Sequence, residues 1–405
     1  MKKISTLIII FLWAFLEIVW ASGSVANEAI LFSTCKETIY IILSGKDAVN
    51  KDSAQAYFSD GVLKNNSGKY AEAIDCFTKA LELNPNLVQA YFNRAQCKSQ
   101  MMDYKSALED YSKALQLKLT WEEAYEAYFN KGVTEALLED MKQAMSDFDY
   151  AIKLNPEFTE AYFNRSILKG KVGDYRGELN DINKVISLRP GDYDAYNSRA
   201  ITKSMMGDYL GAIQDFNHAI KINNAFAAAY FNRALILYEL SEYIAALKDY
   251  NMAIQLKPDA ETFNRRANVK CRLNDFRGAF EDFNAAINLE PNNCITYLNR
   301  GCLKFDLKDY QSAIDDYNKS IQLKPDYSLA YYHRGLAKGK LTDHVGEIKD
   351  YTLAIEFKPD YEKAYHQRGL AKYEIGDKIG GCADLIKAVK LGSDMAYDVL
   401  VQHCK

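Results

Sequence analysis

The segment Ala90-Tyr91-Phe92-Asn93-Arg94-Ala95 returns as Ala161-Tyr162-Phe163-Asn164-Arg165-Ser166 and again as Ala229-Tyr230-Phe231-Asn232-Arg233-Ala234, within a pattern of period 34 that fills most of the 405-residue chain. A fixed period of this length specifies stacked supersecondary repeats. One repeat alone has too little apolar surface to close a core and must bury its face on its neighbours. The chain is long enough for roughly two to four globular domains, but the repetition predicts one extended array instead. Function is then expected on a long shared surface.

Placing the Ala of each Ala-Tyr pair at repeat position 3 starts ten repeats at residues 54, 88, 125, 159, 193, 227, 260, 294, 328 and 362. The apolar spacing predicts a first helix (A) over positions 2–14 and a second (B) over 18–31. Position 4 is aromatic in every repeat, from Tyr57 to Tyr365. Position 8 is small, as in Gly61, Ala95, Gly132 and Gly301, which lets the two helices approach closely. Position 27 is Ala in eight repeats, and all seven prolines stand at position 32, where a residue without an amide donor stops helix B.

At these positions the chain resembles the tetratricopeptide repeat family: aromatic 4, small 8, Tyr or Phe near 17, Ala 20, aromatic 24, Ala 27 and Pro 32 recur together over residues 54–392. The resemblance implies an all-α fold, a right-handed superhelical solenoid of about ten helix-turn-helix repeats whose A helices line a concave groove. It implies that the chain holds other proteins. Several departures stand out. Glu178 and Glu347 replace the usual Ala at position 20, and Leu119, Asn224 and Ser393 replace Pro. Three surplus residues lie near Trp121–Ala127, and one residue is missing between Pro258 and Pro291, so local kinks are expected at those joints.

Two ladders remain once the packing positions are removed. Position 7 carries Arg94, Lys131, Arg165, Arg199, Arg233, Arg266, Arg300, Arg334 and Arg368, and position 23 carries Asp110, Asp147, Asp181, Asp215, Asp249, Asp282, Asp316, Asp350 and Asp384. A basic stripe for an anionic partner is one reading. The favoured one is an Arg–Asp pair joining the two helices of each hairpin and fixing their register, because every cation has an aligned carboxylate that suits a planar guanidinium. As exposed pairs these would contribute only about 0–1 kcal/mol each. Repeat 1, with Asp60 and Cys76, breaks the rule.

The second ladder is Asn93, Asn130, Asn164, Asn232 and Asn299 at position 6, beside Phe92, Phe129, Phe163 and Phe231 at position 5. In the family these positions face the groove. Asn amides one repeat apart can bond an extended peptide backbone without reading its sequence, with the phenyl rings giving apolar contact. Alternatively the rings pack the neighbouring repeat, or the ring row takes an amphipathic helix. Glu126, Glu160 and Asp194 at position 2 favour a basic or neutral segment over an acidic one. Arg265, between Asn232 and Asn299, is the nearest approach to the terminal-carboxylate clamps of some family members; one Arg between two Asn supplies less charge than such capture needs.

Residues 1–26 form a separate segment, with Lys2, Lys3, an apolar run from Leu7 to Leu16 and a small-residue end at Ser24-Val25-Ala26. That is the pattern of a secretory signal or, if uncleaved, an N-terminal membrane anchor. Either places the repeats on the exported side. Residues 27–53 are expected to pack on the first repeat, and 393–405 to form a capping helix over the last. A formal charge of −4 gives no general drive toward nucleic acid. The five histidines include no His-x-x-x-His pair, the eight cysteines include no Cys-x-x-Cys pair, and no phosphate loop or nucleophile elbow is present. No catalytic residue, cofactor or metal is therefore expected, and the chain reads as a non-enzymatic scaffold or as the targeting subunit of a separately encoded enzyme. The cysteine spacings are irregular, and Cys76, Cys97, Cys271 and Cys302 also sit where small helical-core residues would; if any bridge forms, Cys382 with Cys404 is the first candidate, tying the cap to the last repeat.

Overall fold

A computed structural model describes residues 48–117 and 119–404. The signal pattern of residues 1–26, and the N-terminal segment as far as residue 47, lie outside the described residues. The chain divides into two compact units between Met206 and Gly207, in the turn inside the fifth repeat.

Every described element is an α-helix. The N-terminal unit contains α1 (Ala48–Asn66), α2 (Tyr70–Leu83), α3 (Val88–Gln100), α4 (Tyr104–Gln116), α5 (Trp121–Leu137), α6 (Met141–Leu154), α7 (Thr159–Lys171), α8 (Tyr175–Leu188) and α9 (Tyr193–Met205). The C-terminal unit contains α10 (Tyr209–Ile222), α11 (Ala227–Glu239), α12 (Tyr243–Leu256), α13 (Ala260–Arg272), α14 (Phe276–Leu289), α15 (Cys294–Asp306), α16 (Tyr310–Leu323), α17 (Ser328–Lys340), α18 (His344–Phe357), α19 (Glu362–Glu374), α20 (Lys378–Lys390) and α21 (Asp394–His403). Odd-numbered helices through α19 are the A helices, even-numbered ones the B helices, and α21 follows the last hairpin.

Small position 8 does what its pattern predicts. A Cβ added to Gly301 would lie 2.6 Å from the Tyr317 ring, and one on Gly61 2.7 Å from Phe77, so the position-24 ring occupies the space a side chain would need. Those rings are among the most deeply buried side chains: Phe77, Phe148, Phe216, Phe283, Tyr111, Tyr250, Tyr317 and Tyr351 are all at most 1% exposed. Alanines of positions 3, 20 and 27 fill the narrow gaps around them.

The turn between A and B helices has two local determinants. Position 15 takes a left-handed backbone, with φ between 61° and 64° at Met102, Glu139, Ser241, Asn274, Lys308 and Thr342, while glycine supplies it without strain at Gly68, Gly173, Gly207 and Gly376. Position 16 is then the N-cap of helix B. Asp103, Asp140, Asp174, Asp208, Asp275, Asp309, Asp343 and Asp377 each accept a bond from the backbone N–H three residues on.

The irregular joints are absorbed locally. The three surplus residues extend α5 to 17 residues by adding a turn at its start, secured by a capping box between Thr120 and Glu123. The missing residue shortens the turn before α13, where Asp259 caps the helix by accepting from Thr262 N at 2.9 Å.

Candidate binding face on the first helices

The charged ladder joins the helices of each hairpin. Seven arginines, Arg94, Arg165, Arg233, Arg266, Arg300, Arg334 and Arg368, donate through Nε and Nη2 to both oxygens of the position-23 aspartate at 2.6–2.9 Å. Lys131 replaces the fork in repeat 3 and bonds Asp147. Arg199 and Asp215 fall in different units. The expectation of exposed pairs needs correction. The aspartate side chains are only 1–9% exposed, and in most repeats two further contacts gather on the pair.

One of those contacts is a lysine at position 11. Lys98, Lys169, Lys270, Lys304, Lys338 and Lys372 reach the same aspartates at 2.7–2.8 Å. The other is the aromatic ring at position 4, over which the guanidinium lies with its carbon 5.3–5.7 Å from the ring centroid. The remaining arginine nitrogen, Nη1, points backward along the chain and donates to position 25 of the preceding repeat. Its acceptors are Thr78, Asp149, Asn183, Asn217, Asn251, Asn284, Asn318 and Thr352. The lysine and position-25 partners were readable as further columns of the sequence, but only a geometry shows that they converge on the same ion pair.

Repeat 3 inverts the pattern. Position 11 is Glu135, which Lys131 bonds at 2.6 Å, so one lysine serves two carboxylates. Glu135 is 5% exposed and its Oε2 is buried without a hydrogen-bond partner. Burial, together with the bond and charge of Asp147, pushes Glu135 up to about 7 against the opposing pull of Lys131.

The aromatic row is packed inward. Phe92 lies against Tyr111 with ring centroids 6.0 Å apart, Phe129 against Phe148 at 5.7 Å and Phe231 against Tyr250 at 5.9 Å, each within its own hairpin. Phe163 packs beside Ile182 and Val185. The rings therefore complete the core of each hairpin. The asparagine row is also partly committed. Asn93 and Asn164 are 3% and 9% exposed, and their amides donate to the carbonyls of Gln89 and Glu160 on their own helices at 2.8 and 2.9 Å. Asn299 donates to Asn264 Oδ1 of the preceding repeat at 3.1 Å. Asn130 and Asn232 are half-buried. Arg265 pairs with Glu261 one turn earlier at 3.1 Å, which offsets the charge a carboxylate clamp would use.

The acids at position 2 differ among themselves. Glu160 is paired with Arg189 at 2.5 Å. Asp194 has no cation within ion-pair distance among the described residues, and burial with the nearby charge of Asp192 pushes it up to about 6. Burial likewise raises Glu126, against a 3.3 Å bond from Tyr125. Burial lowers both His333, to about 4, and His366, which is 7% exposed with Nε2 lacking a partner. A Cys382–Cys404 disulfide, the first candidate among the cysteines, joins α20 to the end of α21 across a Cα separation of 5.7 Å.

Two stability measurements test this account. Arg300→Met leaves Asp316 buried with Lys304 as its remaining cation and removes the link to Asn284; it is expected to cost about 2–3 kcal/mol in urea unfolding. A cost below about 0.5 kcal/mol would show that the ion pair holds nothing together. Glu135 has a folded-state value above its usual 4.5, so its contribution to stability falls as pH rises from about 4.5 to about 7. Glu135→Gln is therefore expected to gain on the parent across that window and to hold a constant advantage above it. A difference that does not change with pH would contradict the assignment.

Tetratricopeptide repeat models match residues 54–87, 88–118, 227–259 and 295–327, and a second model of the same repeat matches 125–158. No curated protein matches the chain. Among solved structures, the Cut9–Hcn1 hetero-tetramer of APC/C is 13% identical, with 87% of this chain and 90% of that one covered at a TM-score of 0.50. A tetratricopeptide repeat protein from Parabacteroides merdae is 18% identical, with coverages of 62% and 98% and a TM-score of 0.50. Yeast Tom70 is 16% identical, with coverages of 88% and 95% and a TM-score of 0.46. The first two share the fold. With five repeats matched in register and the same residues recurring through the remaining hairpins, the chain belongs to the tetratricopeptide repeat family.

Proposed function

We propose that the protein is a non-enzymatic interaction scaffold that binds an extended, basic or neutral segment of a protein partner along the A-helix face of its N-terminal unit. The observation that carries this reading is the acidic row of position 2. Glu126, Glu160 and Asp194 recur at intervals of one repeat, and burial raises Glu126 and Asp194 while only Glu160 has a cation. A partly buried carboxylate without a counter-charge is costly, and a lysine or arginine from a partner would relieve that cost.

We further propose that the repeats work on the exported side of a membrane. Two features support this: the signal pattern of residues 1–26, and the Cys382–Cys404 disulfide, a bond that persists in oxidising compartments and is rare in reducing ones.

An array of extended peptides of graded charge, probed with the full chain, tests the first proposal. Basic peptides are expected to bind best, and Glu126→Gln with Asp194→Asn to weaken them about fivefold or more while flattening the salt dependence. Unchanged affinity in that double variant would move the binding site elsewhere. For the second, Cys382 and Cys404 in protein taken from its native host should resist alkylation until a reductant is added. Full alkylation of both without reductant would refute the oxidised state on which the localisation rests.

A further inference from the structure

Three departures from the repeat pattern converge at one point in the C-terminal unit. Position 20 of repeat 9 is Glu347, where most repeats have Ala. Position 17 is His344, where seven repeats have Tyr or Phe. Position 12 is Gly339, and a Cβ there would lie 2.0 Å from Glu347 Oε2, so the glycine makes the space that the carboxylate occupies. A fourth residue comes from the next repeat: Glu374, the last residue of α19. His344 Nδ1 lies 2.8 Å from Glu347 Oε1 and 3.4 Å from Glu374 Oε2, and one ligand atom from each of the three residues falls within a 4.8 Å span.

We propose that His344, Glu347 and Glu374 form a binding site for a first-row divalent transition-metal ion such as Zn²⁺, bridging repeats 9 and 10. An ion bound at about 2.0–2.2 Å by imidazole and carboxylate holds tetrahedral ligands about 3.3–3.6 Å apart. The His344–Glu374 separation already matches that spacing; the His344–Glu347 contact must open by roughly half an ångström as the ion replaces the proton between them, and the 4.8 Å span of the cluster must close by about 1 Å, a movement open to the exposed Glu374 side chain. One imidazole and two carboxylates suit Zn²⁺ or Mn²⁺. Glu347 is 6% exposed and rigidly seated, whereas the Glu374 side chain is 62% exposed and free to swing onto an ion arriving from solvent.

Repeat 4 serves as an internal control. There Glu178 also stands at position 20, and Gly170 at position 12 again makes room for it, with a built Cβ 2.7 Å from Glu178 Oε2. Position 17 is Tyr175, however, and position 13 of the following repeat is Met205. Lacking both further ligands, Glu178 keeps Oε2 buried without a partner, and burial pushes it up to about 7. The paired Glu and Gly thus seat a carboxylate in both repeats, and only repeat 9 surrounds it with a second and third ligand. A metal ion here would tie repeat 9 to repeat 10, which the disulfide already ties to the cap.

The test is calorimetric titration of ZnCl₂ into the full chain after stripping with chelator, alongside melting with and without the metal. The parent and Glu178→Gln are expected to show the same saturable site and a melting temperature raised by about 5 °C in excess Zn²⁺. His344→Ala and Glu374→Gln are each expected to weaken that site tenfold or more and to abolish the shift. Glu374 is exposed, so its variant keeps the fold even if the His344 variant does not. An adventitious ion only, seen as equal binding in the parent and the Glu374 variant, would overturn the proposal, as would a parent with no saturable site.

Discussion

The arginine at position 7 is the interaction on which the rest of the array depends. Its planar fork satisfies both oxygens of a buried aspartate on the partner helix, its face rests on the aromatic ring at position 4, and its third nitrogen reaches back to the preceding repeat. A buried aspartate would be costly alone, and the fork with the position-11 lysine offsets that cost through charge-assisted bonds. Lysine cannot fill this role, because a single ammonium cannot bond two oxygens of one carboxylate side-on and a third group in another direction. Where lysine does occur, at Lys131, the network is rebuilt with Glu135 and leaves an orphaned carboxylate oxygen.

With hairpin geometry fixed in this way, irregularities in sequence are taken up in local helix length and capping. An insertion of three residues is close to one helical turn, so it is added to the start of α5 and leaves the packing positions in phase. A large acid at position 20 is accommodated when position 12 loses its side chain, as in the pairs Gly170 with Glu178 and Gly339 with Glu347. In these two hairpins helix A gives up a side chain where helix B gains one.

The same packing determines what the A helices can offer a partner. Rings at position 5 are drawn against the rings at position 24, and the amides of Asn93 and Asn164 bond their own helices. What the face retains in the N-terminal unit is mainly charge: the position-2 acids, two of which are raised by burial.

The sequence by itself determined the period, the two helices of each repeat, the small position 8 that lets them approach, and the pairing of Arg with Asp. These are legible because each is a local or fixed-offset relation repeated many times, so a spacing of 16 residues reads the same in every hairpin. Tertiary structure decided the burial of those ion pairs, the inward turn of the phenyl row, and the meeting of His344 and Glu347 with Glu374. None of these follows from an offset. Exposure is set by what the neighbouring repeat lays over a residue, and a cluster drawn from two repeats has no fixed spacing in the chain.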